Sequence, residues 1–146
     1  MVRWLFGFVV AALITGILGS VVQTQFNLGF LQALDVQIQL QTRLQTTAHD
    51  LVGFAPLWTG LSAAALLPAL LLAGALSRFL FGGFRGLLYA LAGFCAVVTL
   101  ILVMNHLLGI APIAATRLDT GILAMGLAGG LGGWLHARVT RSAAAP

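Results

Sequence analysis

The sequence predicts an all-α membrane protein with four transmembrane helices and an amphipathic helical cap between the first two. Three observations carry that prediction. Of 146 residues 60% are hydrophobic and only 7% are charged. The apolar residues fall into four runs near span length, and the uncharged polar residues gather in one loop. Soluble domains carry about 25% charged residues. A chain with a mean hydropathy of +1.07 cannot clothe itself in polar surface and takes lipid as its solvent.

Hydrocarbon offers no hydrogen bonds, so each run must satisfy its own backbone as an α-helix. The runs are 4–22, 57–77, 87–110 and 120–137, each near the roughly 20 residues that cross about 30 Å. The first follows Arg3, as a signal peptide would. It exceeds the about 7–15 residues of a signal core, and its exit, Leu18-Gly19-Ser20-Val21, has no A-x-A cleavage site. It is expected to be a retained helix, with a small-residue face at Ala12, Gly16 and Ser20.

The second run contains Pro68, which frees the carbonyl of Ala64 and predicts a kink one to two turns from Thr59 and Ser62. The third ends on Asn105 and His106. The fourth reads GILAMGLAGGLGGWL, in which Gly126 with Gly130 and Gly129 with Gly133 have GxxxG spacing. Glycine lets helix backbones approach closely, which supplies packing where lipid removes the hydrophobic drive between helices. Gly16, Gly126, Gly129, Gly130 and Gly133 are therefore the expected helix-packing residues, either inside one bundle or between copies in a homo-oligomer.

All seven glutamines lie between Gln23 and Gln45, inside an outer loop expected at 23–56. Within it Thr42-Arg43-Leu44-Gln45 matches a capping box, and Gly53 and Pro56 are stop signals. Leu44, Ala48, Leu51 and Val52 follow helical spacing, with Arg43, Thr46, His49 and Asp50 on the other side. This predicts an amphipathic helix over about 43–52 that lies on the outer surface or caps the bundle. Upstream, Val36 to Gln41 alternates with period two, as an extended strand-like piece would. Leu28, Leu31, Leu34 and Ile38 fit a helix from Asn27 equally well, so both conformations stay open.

Arginine positions set the expected orientation. With the N-terminus inside, Arg3, Arg78, Arg85, Arg138 and Arg141 are cytoplasmic and only Arg43 and Arg117 are outside. Trp4 and Trp134 then fall at the inner boundary and Trp58 at the outer one. Both termini are expected in the cytoplasm. The Ala, Leu, Gly and Arg bias suggests a bacterial inner membrane.

Several function classes lose support. One cysteine, Cys95, excludes an internal disulfide and a CxxC pair. The three aspartates, Asp35, Asp50 and Asp119, all lie outside the spans, which disfavours proton pumping through a buried carboxylate. No nucleophile–base pair or phosphate loop is visible. His49, His106, Asp50 and Asp119 lack metal-ligand spacing. No catalytic residue, metal site, cofactor or nucleic-acid partner is expected. The candidate partner- or ligand-binding residues lie at the outer face: Arg43, Thr46, His49, Asp50, Asn105, His106, Arg117 and Asp119.

Small multidrug exporters require a carboxylate in the first helix, and membrane thiol oxidoreductases require paired cysteines. This chain has neither, nor the glycine-arginine and asparagine signature of small fluoride channels. The segments QTQFNL after the first run and LQTTAHDLVGFAP before the second resemble small, uncharacterised four-span proteins of the bacterial inner membrane. That resemblance covers most of the chain and implies no activity. The expected function is that of a non-enzymatic oligomeric or accessory subunit with a partner-binding cap. The alternatives are a small channel or transporter, and a haem- or metal-binding membrane subunit.

Overall fold

A computed structural model describes residues 2–79 and 82–141. Five α-helices follow one another: α1 (Val2–Gln32), α2 (Leu40–Gly53), α3 (Ala55–Phe79), α4 (Arg85–Leu108) and α5 (Asp119–Val139). Short 3-10 turns at Gly82–Phe84 and Ala114–Arg117 precede α4 and α5. Among the described residues there is no strand. Three helices, α1, α3 and α4, are long and apolar enough to cross a membrane, so this is a membrane protein of helical-bundle type. The glycines of α5 dilute its hydropathy, and it is not among those three.

Around the bundle α1 packs on α3 and α5, and α4 packs on α3 and α5. Arg3 donates from Nη2 to the carbonyl of Arg141 at 2.9 Å, so the start of α1 and the residues just after α5 meet at one end of the bundle. The α1–α2 connection lies at the other, called here the hairpin end. Fully buried Leu66, Leu70, Val97, Ile101 and Met125 fill the interior.

The first run is longer than expected. The helix does not stop at residue 22 but continues through Gln23 and Gln25 to Gln32. Nothing at that point breaks a helix, because glutamine is a good helix former, no Pro intervenes, and the single Gly29 weakens the helix without ending it. At 1.5 Å per residue α1 is about 46 Å long, well beyond about 30 Å of hydrocarbon. The segment after Asn27 is thus helical as far as Gln32, and residues 36–39 have no regular secondary structure, with Gln39 in an extended conformation. Asp35 makes the turn between them with φ 60, a left-handed conformation that aspartate tolerates better than most residues.

The amphipathic helix spans Leu40–Gly53 rather than 43–52, and Gln39 occupies its N-cap without a side-chain hydrogen bond. The capping box therefore does not form. Thr42 already lies inside the first turn, where its carbonyl accepts from Thr46 Oγ1 at 2.9 Å. The remaining helices each begin or end one or two residues from the expected bounds, and α3 runs unbroken through Pro68. Gly109 closes α4 with φ 66, the left-handed C-terminal cap for which glycine is favoured.

The small residues of α5 serve two neighbours. A Cβ on Gly133 would strike the carbonyl oxygen of Tyr89, and one on Gly129 would lie 2.5 Å from that of Gly93, both on α4. On another side, a Cβ on Gly132 would lie 2.7 Å from the Ala11 carbonyl of α1. Gly126 faces Phe94 and Val98, while Gly130 sits more loosely, its Cβ position 3.3 Å from the Ala90 carbonyl. Gly16 on α1 abuts Thr59 on α3.

Candidate functional site at the hairpin end

α2 folds back antiparallel on the extension of α1, and polar side chains join the two. Arg43, Thr47 and Asp50, spaced i, i+4 and i+7, share one face of α2. Arg43 donates from Nη1 to Gln25 Oε1 and from Nη2 to Gln32 Oε1, both at 3.0 Å. Gln25 Nε2 donates to Thr47 Oγ1 at 3.3 Å. Thr24 Oγ1 stands 2.7 Å from Asp50 Oδ2 and 2.9 Å from the Ser20 carbonyl, so its single proton serves one or the other. Gln23 Oε1 accepts the backbone N–H of Ala115 at 2.9 Å, tying α1 to the turn before α5. Bonds to the charged guanidinium and carboxylate are the strong members of this set.

The polar face of α2 thus turns inward, opposite to the arrangement usual for a surface helix. The physical reason lies in its neighbour. The extension of α1 presents amides and a hydroxyl, which only a polar face can satisfy. The apolar row is left outside: Leu40 is 71% exposed, Leu44 63% and Val52 79%, with Ala48 also exposed between them.

The expected outer-face residues therefore divide into two groups. Arg43 and Asp50 are half-buried and engaged with α1, and Thr46 is half-buried and bonded within α2. Asn105 Oδ1 lies 3.4 Å from Thr116 Oγ1. His49, His106, Arg117 and Asp119 are exposed. Among the described residues no three His, Cys, Asp or Glu side chains gather as a ligand set.

Sequence reasoning missed what lies beneath the seam. Thr15, Ser20 and Thr24 of α1 and Ser62 of α3 are fully buried. Trp58, 1% exposed, fills the space over Gly19. Thr15 Oγ1, Ser20 Oγ, Ser62 Oγ and Trp58 Nε1 have no hydrogen-bond partner among the described residues. Ser20, Trp58 and Ser62 lie along the contact of α1 with α3, where Gly16 and Gly19 meet Thr59 and Trp58, while Thr15 Oγ1 faces Gly132 of α5. The available signal was the i, i+4 spacing of Ser20 with Thr24 and of Trp58 with Ser62, which places each pair on one helix face.

Compared with known protein families, with characterised proteins and with solved structures, the chain matches none.

Proposed function

We propose that the chain is a four-span protein of the bacterial inner membrane, with both termini cytoplasmic. In this reading it is a non-enzymatic accessory subunit whose extracytoplasmic hairpin docks a helical segment of a partner membrane protein. The observation that carries the reading is the exposed apolar row Leu40, Leu44, Ala48 and Val52 on α2. The excess length of α1 supports its placement. About 15 Å of hairpin stands beyond the hydrocarbon, and the polar residues from Gln23 to Gln32 assign that excess to the C-terminal part of α1. Lipid chains do not reach the distal end of such a hairpin, so Leu40 and Leu44 need another cover. Their i, i+4 spacing suits the apolar stripe of a second helix. The five-to-two arginine distribution supports the orientation. Glycine packing of α5 against both α1 and α4 supports its role as the fourth span.

A photo-reactive residue placed at Leu44 in living cells of the source bacterium is expected to yield one discrete protein adduct. The adduct should disappear when Leu40→Gln and Val52→Gln are added, while a probe at lipid-facing Leu131 should not produce it. Adducts to lipid alone, to a second copy of this chain, or equally from Leu131, would refute the docking.

The buried, unpartnered hydroxyls of Ser20 and Ser62 favour a second reading, a small solute path between α1 and α3. Reconstituted vesicles are then expected to pass small neutral solutes faster than empty ones. Substituting Ser20→Val and Ser62→Val should suppress that flux, and no difference from empty vesicles would dismiss the path.

A further inference from the structure

At the end of the bundle where Arg3 meets Arg141, α4, α5 and the turns beside them form a cavity of about 260 Å³ lined by Arg85, Arg138, Arg141, Gly83, Gly86 and Trp134. Two of its guanidiniums are held in place. Arg85 donates from Nη2 to Thr140 Oγ1 at 2.6 Å and lies 5.1 Å above the ring of Tyr89. Arg138 stacks 4.4 Å over the indole of Trp134. Stacking leaves the in-plane N–H edges of a guanidinium free for a ligand. Arg85 Nε is buried and has no partner among the described residues.

Three positive charges share one small cavity, and the three aspartates are remote from it. Asp119 opens α5 and Arg138 stands near its close, a separation of about 28 Å along the helix. Asp35 and Asp50 belong to the hairpin end. The start of α4 at Arg85 and Gly86 lies at the same cavity and brings the positive end of its dipole there. An anion is what this arrangement lacks.

Trp134 also closes the end of a second space, an apolar groove of about 310 Å³ between α4 and α5 lined by Ala90, Phe94, Leu127 and Gly130. The charged cavity and the groove therefore follow one another along the same pair of helices. We infer that this is a binding site for a phosphate monoanion carried on an acyl chain. The phosphate of an anionic phospholipid sits among Arg85, Arg138 and Arg141, and one of its chains lies in the groove. Free phosphate shares the headgroup chemistry but has no use for the groove. The site requires only that α4 and α5 lie in a bilayer, and stands whether or not the hairpin docks a partner.

The test is a thermal-shift and native-mass titration of the purified full chain with phosphatidylglycerol, phosphatidylcholine and inorganic phosphate. Phosphatidylglycerol is expected to bind and stabilise in preference to phosphatidylcholine. Each arginine beside an anionic lipid contributes about fivefold. Arg138→Gln is therefore expected to lower the preference about fivefold, and Arg138→Gln with Arg141→Gln together about 30-fold. Arg78→Gln removes the same charge at the same end, outside the cavity, and should leave the preference intact. Should Arg138→Gln fail to fold, Arg141→Gln at the exposed helix end reads the same difference. Equal losses from Arg78→Gln would reduce the site to diffuse charge and overturn it. Inorganic phosphate that matches the lipid in stabilisation would overturn the lipid assignment.

Discussion

Gly133→Leu is expected to abolish the folded bundle, and Gly133→Ala to lower its stability by about 2–3 kcal/mol. The first added carbon would meet the carbonyl oxygen of Tyr89, a backbone atom that cannot rotate aside. One turn away the contact is reciprocal: a Cβ on Gly93 meets the Gly129 carbonyl, and one on Gly129 meets that of Gly93. In lipid, where apolar side chains gain little by leaving their surroundings, such close approach is the main source of helix association. With a total stability of about 5–15 kcal/mol, a leucine at this place leaves no margin. Gly29 and Gly60 are the contrast, since no atom lies within 4 Å of the Cβ each lacks. Alanine at either should raise stability by up to about 1 kcal/mol through helix propensity. Unfolding followed by circular dichroism in mixed micelles separates the two classes. A Gly133→Ala protein as stable as the parent would refute the α4–α5 contact.

Trp58→Ala carries the second large effect, a loss of about 3–5 kcal/mol. The indole is buried between α1 and α3 and stacks on Phe54 at 6.0 Å between centroids, with 13° between planes. Gly19 makes room for it, because a Cβ there would lie 2.5 Å from Trp58 Cδ1. Gly19→Ala should therefore destabilise on its own, yet cost less beside Trp58→Phe, whose smaller ring vacates that space. A double-mutant cycle measured in the same micelles is expected to return a coupling of about 1 kcal/mol or more. Strict additivity would show that the two residues do not touch.

The apolar runs of α1, α3 and α4 were legible because length and hydropathy are properties of the segment itself. So was the helical character of α2, whose apolar residues recur at helical spacing. Which face of α2 turns inward was not legible. That depends on the amides of Gln25 and Gln32 opposite, and glutamines after an apolar run read as a loop until α1 is seen to continue through them. Arg43 and Asp50, expected as partner- or ligand-binding positions, make their side-chain hydrogen bonds to α1. The arginine cavity was half legible. Charge counting places Arg85, Arg138 and Arg141 at one end, while their convergence on one space depends on the close approach of α4 and α5 at Gly93, Gly129 and Gly133.

The inward-turned polar seam has a consequence for how the molecule comes apart. The bundle is held by van der Waals contact in hydrocarbon, which urea scarcely enters. The hairpin is held by Arg43, Thr47 and Asp50 through bonds that water can replace one for one. The two parts answer to different solvents: denaturant and salt act on the hairpin, detergent acts on the spans. Local opening of α2 away from α1 is accordingly the lowest rung of the unfolding ladder. It also exposes Gln25, Gln32 and Thr24 together, so the same opening converts a surface that is apolar at rest into one that offers hydrogen bonds.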